Sequence, residues 1–325
     1  PKETRRFCGP TVPLARIPKF TYKNDEIFHA TIEVSHFGNA VLDSTKTTYT
    51  IRDEYGKIYY KEISNNRTIP VGNCIQLGEV NYPLASITSP AKLNLEVCIE
   101  GTHFANDWDF WVYPAVVETN QGNVYFTDTF NEKALETLAS GGNVLITAAR
   151  KITYGQGIVQ QFTPVFWNTS WFKMRPPHTT GIWVNNNHPL FKNFPTEYHS
   201  NLQWWELLNN AQVMLFSDFA YEFEPLVQSI DTWFLSRKIG TLFEAHVLNG
   251  KLMMTSMDIT TDLDNRIVAR QMRKAILDYM NSPHFRPVSH VKVQQIEDLF
   301  RKPTPVINMH TKQSPEELKP SYNVK

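Results

Sequence analysis

Asn123–Ala149, NVYFTDTFNEKALETLASGGNVLITAA, is the stretch that decides the fold. Val124–Phe126 and Val144–Ala149 are apolar runs of the kind that make strands buried on both faces, as in a parallel sheet. Between them Thr129 and Glu132 stand at capping-box spacing, Thr129 placed to accept from an early helical amide and Glu132 to reach back. Ala134, Leu135, Leu138 and Ala139 form one helical stripe, and Gly141-Gly142 supplies a left-handed stop. The expected product is a strand–helix–strand unit that opens an α/β sheet. Such folds host many chemistries, so this stretch predicts architecture and leaves function open.

Upstream, the period of the sequence is two. Ile27–Val34, Thr48–Ile51, Lys57–Ile63, Cys74–Val80 and Leu93–Ile99 alternate, with Gly38-Asn39, Tyr55-Gly56, Pro70–Asn73 and Ser89-Pro90 as turns. Asn106–Pro114 closes the series. Short strands at this spacing predict an all-β, immunoglobulin-like sandwich over 21–114. Residues 1–20, a short helix at Glu3–Phe7 and a run punctuated by Pro10, Pro13 and Pro18, read as the tail of an upstream domain and a linker. The chain begins with Pro1 in what reads as mid-domain sequence, so a piece of a longer protein is expected, with any targeting signal upstream.

Downstream, an α/β domain is expected over 115–285, entered through the polar connector Glu118–Gly122. An aromatic-rich section reaches Leu208, with short helices expected at Gln160–Trp171 and Leu202–Leu207 and strands at Val213–Phe216 and Val227–Leu235. Thr241–Val247 and Leu252–Met257 flank Asn249-Gly250, which predicts a type I′ hairpin on the sheet edge. Asn265–Met280 carries an amphipathic helical pattern. Residues 286–325 read as a C-terminal tail with one helix at Val293–Phe300.

With 32 basic and 32 acidic side chains, the chain lacks the basic excess that a nucleic-acid binder uses. No apolar run is long enough to span a membrane. The three cysteines, Cys8, Cys74 and Cys98, are too few for a disulfide scaffold and lack zinc spacing. Cys74 and Cys98 either pair across the sandwich or remain free buried thiols, and the second reading is favoured.

Asn131-Glu132 resembles the Asn-Glu pair with which many retaining glycosidases present their acid/base, but that chemistry needs two carboxylates about 5 Å apart. Glu132 is better placed in the first helical turn, serving the cap and the macrodipole. No cysteine follows Cys98, no G-x-S-x-G elbow is present, and His178, His188, His199 and His246 have no nucleophile at a recognisable spacing. His29 with His36, or Glu244 with His246, belong to no closed metal set, and cross-strand contacts are expected to explain the second pair. No cofactor is expected. The remaining excess is aromatic: Trp167, Trp171, Trp183, Trp204, Trp205 and Trp233 all fall in the second domain. Such rings stack on sugars, and equally they build cores and interfaces, the reading favoured here. Trp167, Trp171, Trp183, His199, Trp204 and Trp205 are the candidate carbohydrate or interface residues.

RRFCGPTVPLARIPKF (5–20), NDWDFWVYP (106–114), SWFKMRPPHTTGIWVNNNHPLFKNFPTEYHSNLQWWELL (170–208), GTLFEAHVLNGKLMMTSMDI (240–259) and VARQMRKAILDYM (268–280) together resemble the region after the catalytic barrel in bacterial glycoside hydrolase family 2 enzymes of β-galactosidase type. That resemblance implies a three-layer α/β domain like that of class I glutamine amidotransferases, of flavodoxin or Rossmann type, behind the sandwich. It implies an accessory, non-catalytic part of a secreted or periplasmic β-glycosidase, whose barrel with both catalytic glutamates lies upstream. No catalytic residue carries over to any position here, and the glutaminase cysteine is missing. The implied partners are the parent barrel, an oligosaccharide or a second copy. A free-standing carbohydrate-binding module is the alternative, and a hydrolase acting from the α/β domain is disfavoured by the missing nucleophile.

Overall fold

The computed structural model describes residues 2–162, 179–232 and 235–305. Strand outweighs helix, 36% to 18%, which makes the protein a β-rich multidomain chain. It divides into two compact units, Pro1–Val117 with Asn193–Pro195, and Glu118–Lys192 with Thr196–Lys325.

The first unit opens with helix α1 (Lys2–Phe7). Ten strands follow: β1 (Thr11–Arg16), β2 (Thr21–Lys23), β3 (Ile27–His36), β4 (Leu42–Thr45), β5 (Thr47–Asp53), β6 (Ile58–Ile63), β7 (Arg67–Ile69), β8 (Gly72–Pro83), β9 (Ala91–Ile99) and β10 (Ala105–Tyr113). One sheet runs β1-β3-β8 and the other β2-β10-β9-β5-β6, with β4 and β7 paired separately. Period-two alternation builds the core between the sheets: Phe28, Ala30, Ile32 and Val34 of β3 and Leu93, Leu95 and Val97 of β9 are fully buried. Phe28 and Phe110 stack at 4.1 Å. The proline-punctuated run read as a linker is strand β1, in register with β3 from Thr11↔His36 to Arg16↔Thr31. Pro13 is tolerated because β1 is an edge strand, where a missing amide costs no ladder bond.

All three cysteines are free. Cys74 is exposed rather than buried, and Cys98 is half-buried. The histidines considered as metal ligands have structural partners instead: His29 Nδ1 meets Asn81 Oδ1 at 2.8 Å, and His36 lies between Thr11 Oγ1 and the Ala40 carbonyl, each 2.7 Å away.

The second unit begins with the expected strand–helix–strand: β11 (Val124–Thr127), α2 (Glu132–Ala139) and β12 (Asn143–Thr147), the strands parallel. It continues with β13 (Ile182–Val184), α3 (Trp204–Asn209), β14 (Met214–Leu215), β15 (Val227–Ser229), β16 (Ile239–Val247), β17 (Gly250–Thr255), α4 (Ile267–Met280) and α5 (Val293–Arg301). The sheet order is β11-β12-β17-β16-β15-β13, with β14 added on β16. β17 is parallel to β12, and the strands from β16 to β13 are antiparallel. On one face Ala134 and Leu138 of α2 and Ile296 and Leu299 of α5 cluster with Val144, Ile146, Leu252 and Met254. Glu244 points the other way and acts on Tyr279 of α4.

Four local expectations change. The cap of α2 is Asn131, whose side chain accepts from the Ala134 amide at 2.9 Å, so the capping-box pair is not formed. The β16–β17 hairpin is central, not on the sheet edge, and its two-residue loop is Leu248-Asn249, with φ of 53° at Leu248 and Val247 paired to Gly250. A positive φ at the first central position alone is the II′ pattern. Gly250 sits in the strand for packing reasons: a Cβ there would lie 2.5 Å from the Gly142 carbonyl oxygen. The stretch read as a tail contributes core, since Ile296 and Leu299 are fully buried. Of the helix expected at Gln160–Trp171, residues 160–162 are not helical and the remainder lies outside the described residues.

Candidate functional site

In open α/β sheets ligands gather beyond the carboxyl ends of parallel strands. Here the chain leaves β17 as Ser256-Met257-Asp258, and Asp258 is buried. Its carboxylate accepts from the Thr260 and Thr261 amides, both at 3.1 Å, and from the Thr261 hydroxyl at 2.6 Å. Arg266 lies 3.3 Å from the same carboxylate, donates to the Asp258 carbonyl at 2.7 Å and pairs with Glu206. Burial pushes the Asp258 carboxyl up, but the Thr260 and Thr261 hydrogen bonds and the Arg266 charge outweigh it and hold it at about 2. A carboxylate ionised at every ordinary pH and already saturated with donors is a brace for the β17–α4 loop. It is unsuited to general acid or base work, which needs a value near the working pH. The chain leaves β12 as Ala148-Ala149-Arg150, where Arg150 reaches Asp258 at 3.6 Å.

A second polar cluster lies half-buried against α4. His188 Nε2 lies 3.3 Å from the Tyr279 hydroxyl and 3.6 Å from Glu244 Oε1. Burial, the Glu244 charge and a Glu244 hydrogen bond raise the Tyr279 phenol well above its ordinary value, so it stays protonated and donates. Glu244 faces Met253 across the hairpin, so its polar contacts come from α4 and the 185–190 loop rather than from the cross-strand neighbour. His246 stacks on His290 at 5.0 Å and joins no set with Glu244. Among the described residues no group of three or more His, Cys, Asp or Glu is placed to hold a metal ion.

The aromatic candidates separate by burial. Trp204 is fully buried, its indole N–H donating to Thr196 Oγ1 at 2.8 Å, which makes it core. Trp205, one residue on, is 58% exposed, and Trp183 is 38% exposed. Trp167 and Trp171, with Trp233 and His178, lie outside the described residues.

Trp183 is the outward residue of β13, between buried Ile182 and Val184. It pairs with Gln228 of β15 on one side and forms an antiparallel bridge with His199 on the other. Directly opposed residues in antiparallel strands project to the same face, so Gln228, Trp183 and His199 form one row across three chain segments. The Tyr198 ring meets the His199 ring at 4.9 Å and is 63% exposed. Trp183 and His199, both in the candidate set that the sequence offers, are brought side by side by this bridge. Gln228 and Tyr198 carried no signal of their own, because their place depends on pairings 16 to 45 residues distant.

Residues 125–301 match the model of a family described as Domain of unknown function (DUF8487), and residues 26–114 that of Domain of unknown function (DUF8488). No curated protein matches. Among solved structures, a β-glucuronidase of Parabacteroides merdae is 10% identical over 47% of this chain and 22% of its own, with a TM-score of 0.25. A family 123 glycoside hydrolase from Clostridium perfringens is 10% identical over 45% of this chain and 40% of its own, also at 0.25. The sporulation control protein Spo0M from Bacillus subtilis is 12% identical over 32% of this chain and 50% of its own, at 0.23. This chain spans half or less of the first solved chains that it matches.

Proposed function

We propose, for a chain that belongs to the family described as Domain of unknown function (DUF8487), a role as the non-catalytic accessory region of a carbohydrate-degrading β-glycosidase of β-galactosidase type, acting outside the cytoplasm. The observation that carries this reading is the state of Asp258, a saturated brace at the strand ends where an α/β enzyme would keep an open reactive group. The modular order supports it too: a two-sheet sandwich is followed by a mixed sheet, parallel over β11, β12 and β17, with helices on both faces. In this role the second unit supports the parent barrel, and a second copy of the chain is a further candidate partner.

The test is twofold. Purified chain is expected to leave 4-nitrophenyl β-glycosides unhydrolysed and to release no ammonia from glutamine. The coding sequence directly upstream of Pro1 is expected to encode a barrel carrying two carboxylates about 5 Å apart. Turnover that disappears in Glu132→Gln, or an upstream sequence with no barrel, overturns the proposal.

A further inference from the structure

We infer that the row Gln228–Trp183–His199, with Tyr198 at its end, is a subsite for a neutral β-linked glycan. The inference rests on the accessory role proposed above and assigns a ligand to it. Three features converge. First, Trp183 is left 38% exposed in the middle of a row, while Trp204, near in sequence to His199, is fully buried. A flat ring held by a strand is a rigid stacking surface with one apolar face and a polar edge. Second, it is flanked on both sides by side chains that donate and accept. Among the described residues no hydrogen bond engages the side chains of Gln228, Trp183 or His199. Third, neighbouring strands lie about 4.8 Å apart, so the row is roughly 10 Å long. That is the length of two pyranose rings laid end to end, with apolar C–H faces over the indole and hydroxyls reaching the amide and the imidazole.

The alternatives fit less well. A stable protein interface needs about 800 Å² from each partner with an apolar centre, and three neighbouring side chains of which two are polar cover a small part of that. A nucleic acid needs basic side chains along its backbone track, and the row contains no lysine or arginine.

The probes are β-1,4-galactan, xyloglucan and laminarin, each cast into native gels, with the full chain as the migrating protein. At least one gel is expected to retard the parent chain. Trp183→Ala is expected to weaken that retardation about tenfold or more, as loss of a central aromatic anchor does, with Trp183→Phe retaining most of it. Gln228→Ala is expected to weaken it less than Trp183→Ala, and Trp205→Ala to leave it unchanged. Circular dichroism and the unfolding midpoint of each variant establish that it is folded. Unretarded migration of the parent in all three gels overturns the inference, as does equal retardation of parent and folded Trp183→Ala. A dimer by light scattering that Trp183→Ala dissociates also overturns it, in favour of self-association. These outcomes read sugar binding alone, so they leave the upstream-barrel test of the accessory role standing or falling by itself.

Discussion

Adjacent tryptophans show how little a residue type says without its surroundings. Trp204 is enclosed and its indole N–H is bonded to Thr196, whereas Trp205 turns 58% of its surface to solvent. Trp204→Ala is therefore expected to cost about 3–5 kcal/mol through the large cavity it leaves. Trp205→Ala is expected to stay within about 0.5 kcal/mol, both read by urea denaturation. Asp258 offers a pH-dependent counterpart. Its carboxyl is held at about 2 in the folded chain against an ordinary 3.8. A depressed value contributes stability that is present above the ordinary one and is lost as pH falls toward the folded one. Asp258→Asn is expected to lower stability at pH 7 by about 2 kcal/mol, because an amide meets donors with a donor. The gap between parent and variant melting temperatures is expected to narrow from about pH 5 down to pH 2. A gap that stays constant over that range would show that the carboxylate charge is not the source.

At the scale of elements, the β16–β17 hairpin holds a local preference against a tertiary demand. Leu248 occupies φ of 53°, where a Cβ is crowded, and its side chain is half in solvent. Leu248→Gly is expected to stabilise the chain by up to about 1 kcal/mol, since glycine takes that conformation freely. Gly250 has the opposite character. A methyl group there would meet Leu138 Cα at 2.8 Å and the Gly142 oxygen at 2.5 Å, both backbone neighbours that a side-chain rotation cannot move. Gly250→Ala is expected to push α2 off the sheet and destabilise by more than about 2 kcal/mol. Thermal melts of both variants, with opposite signs, check the pair.

At the scale of the whole molecule, the chain is neutral, and no helix among the described residues is long and apolar enough to cross a membrane. The connector Glu118–Gly122 is exposed and falls at the division between the two units. A broad-specificity protease is expected to nick it before either core, with the fragments identified by mass. Residues after Pro283 are a different case. Val291, Ile296 and Leu299 are buried with α2 and β12 in one cluster, and each contributes about 1.5–3 kcal/mol by leaving water. A chain ended after Pro283 is expected to melt far below one ended after Pro305. Equal melting temperatures would remove α5 from the core.

Period and punctuation alone determined much of this protein. Alternation in Ile27–Val34 and Leu93–Ile99 made two sheets, and the stripe Ala134–Leu138 with the Gly141 stop made the helix between parallel strands, because neighbours a few residues apart carry that information. Pairing between distant segments decided the rest. The run through Pro13 became a strand only because the edge beside β3 was open to it. Leu248 entered the turn because Gly250 was needed where α2 approaches. The amide of Gln228 and the rings of Trp183 and His199 share one face only where three strand segments align. A register over tens of residues is set by the competition of many weak contacts, and no single stretch of sequence contains it.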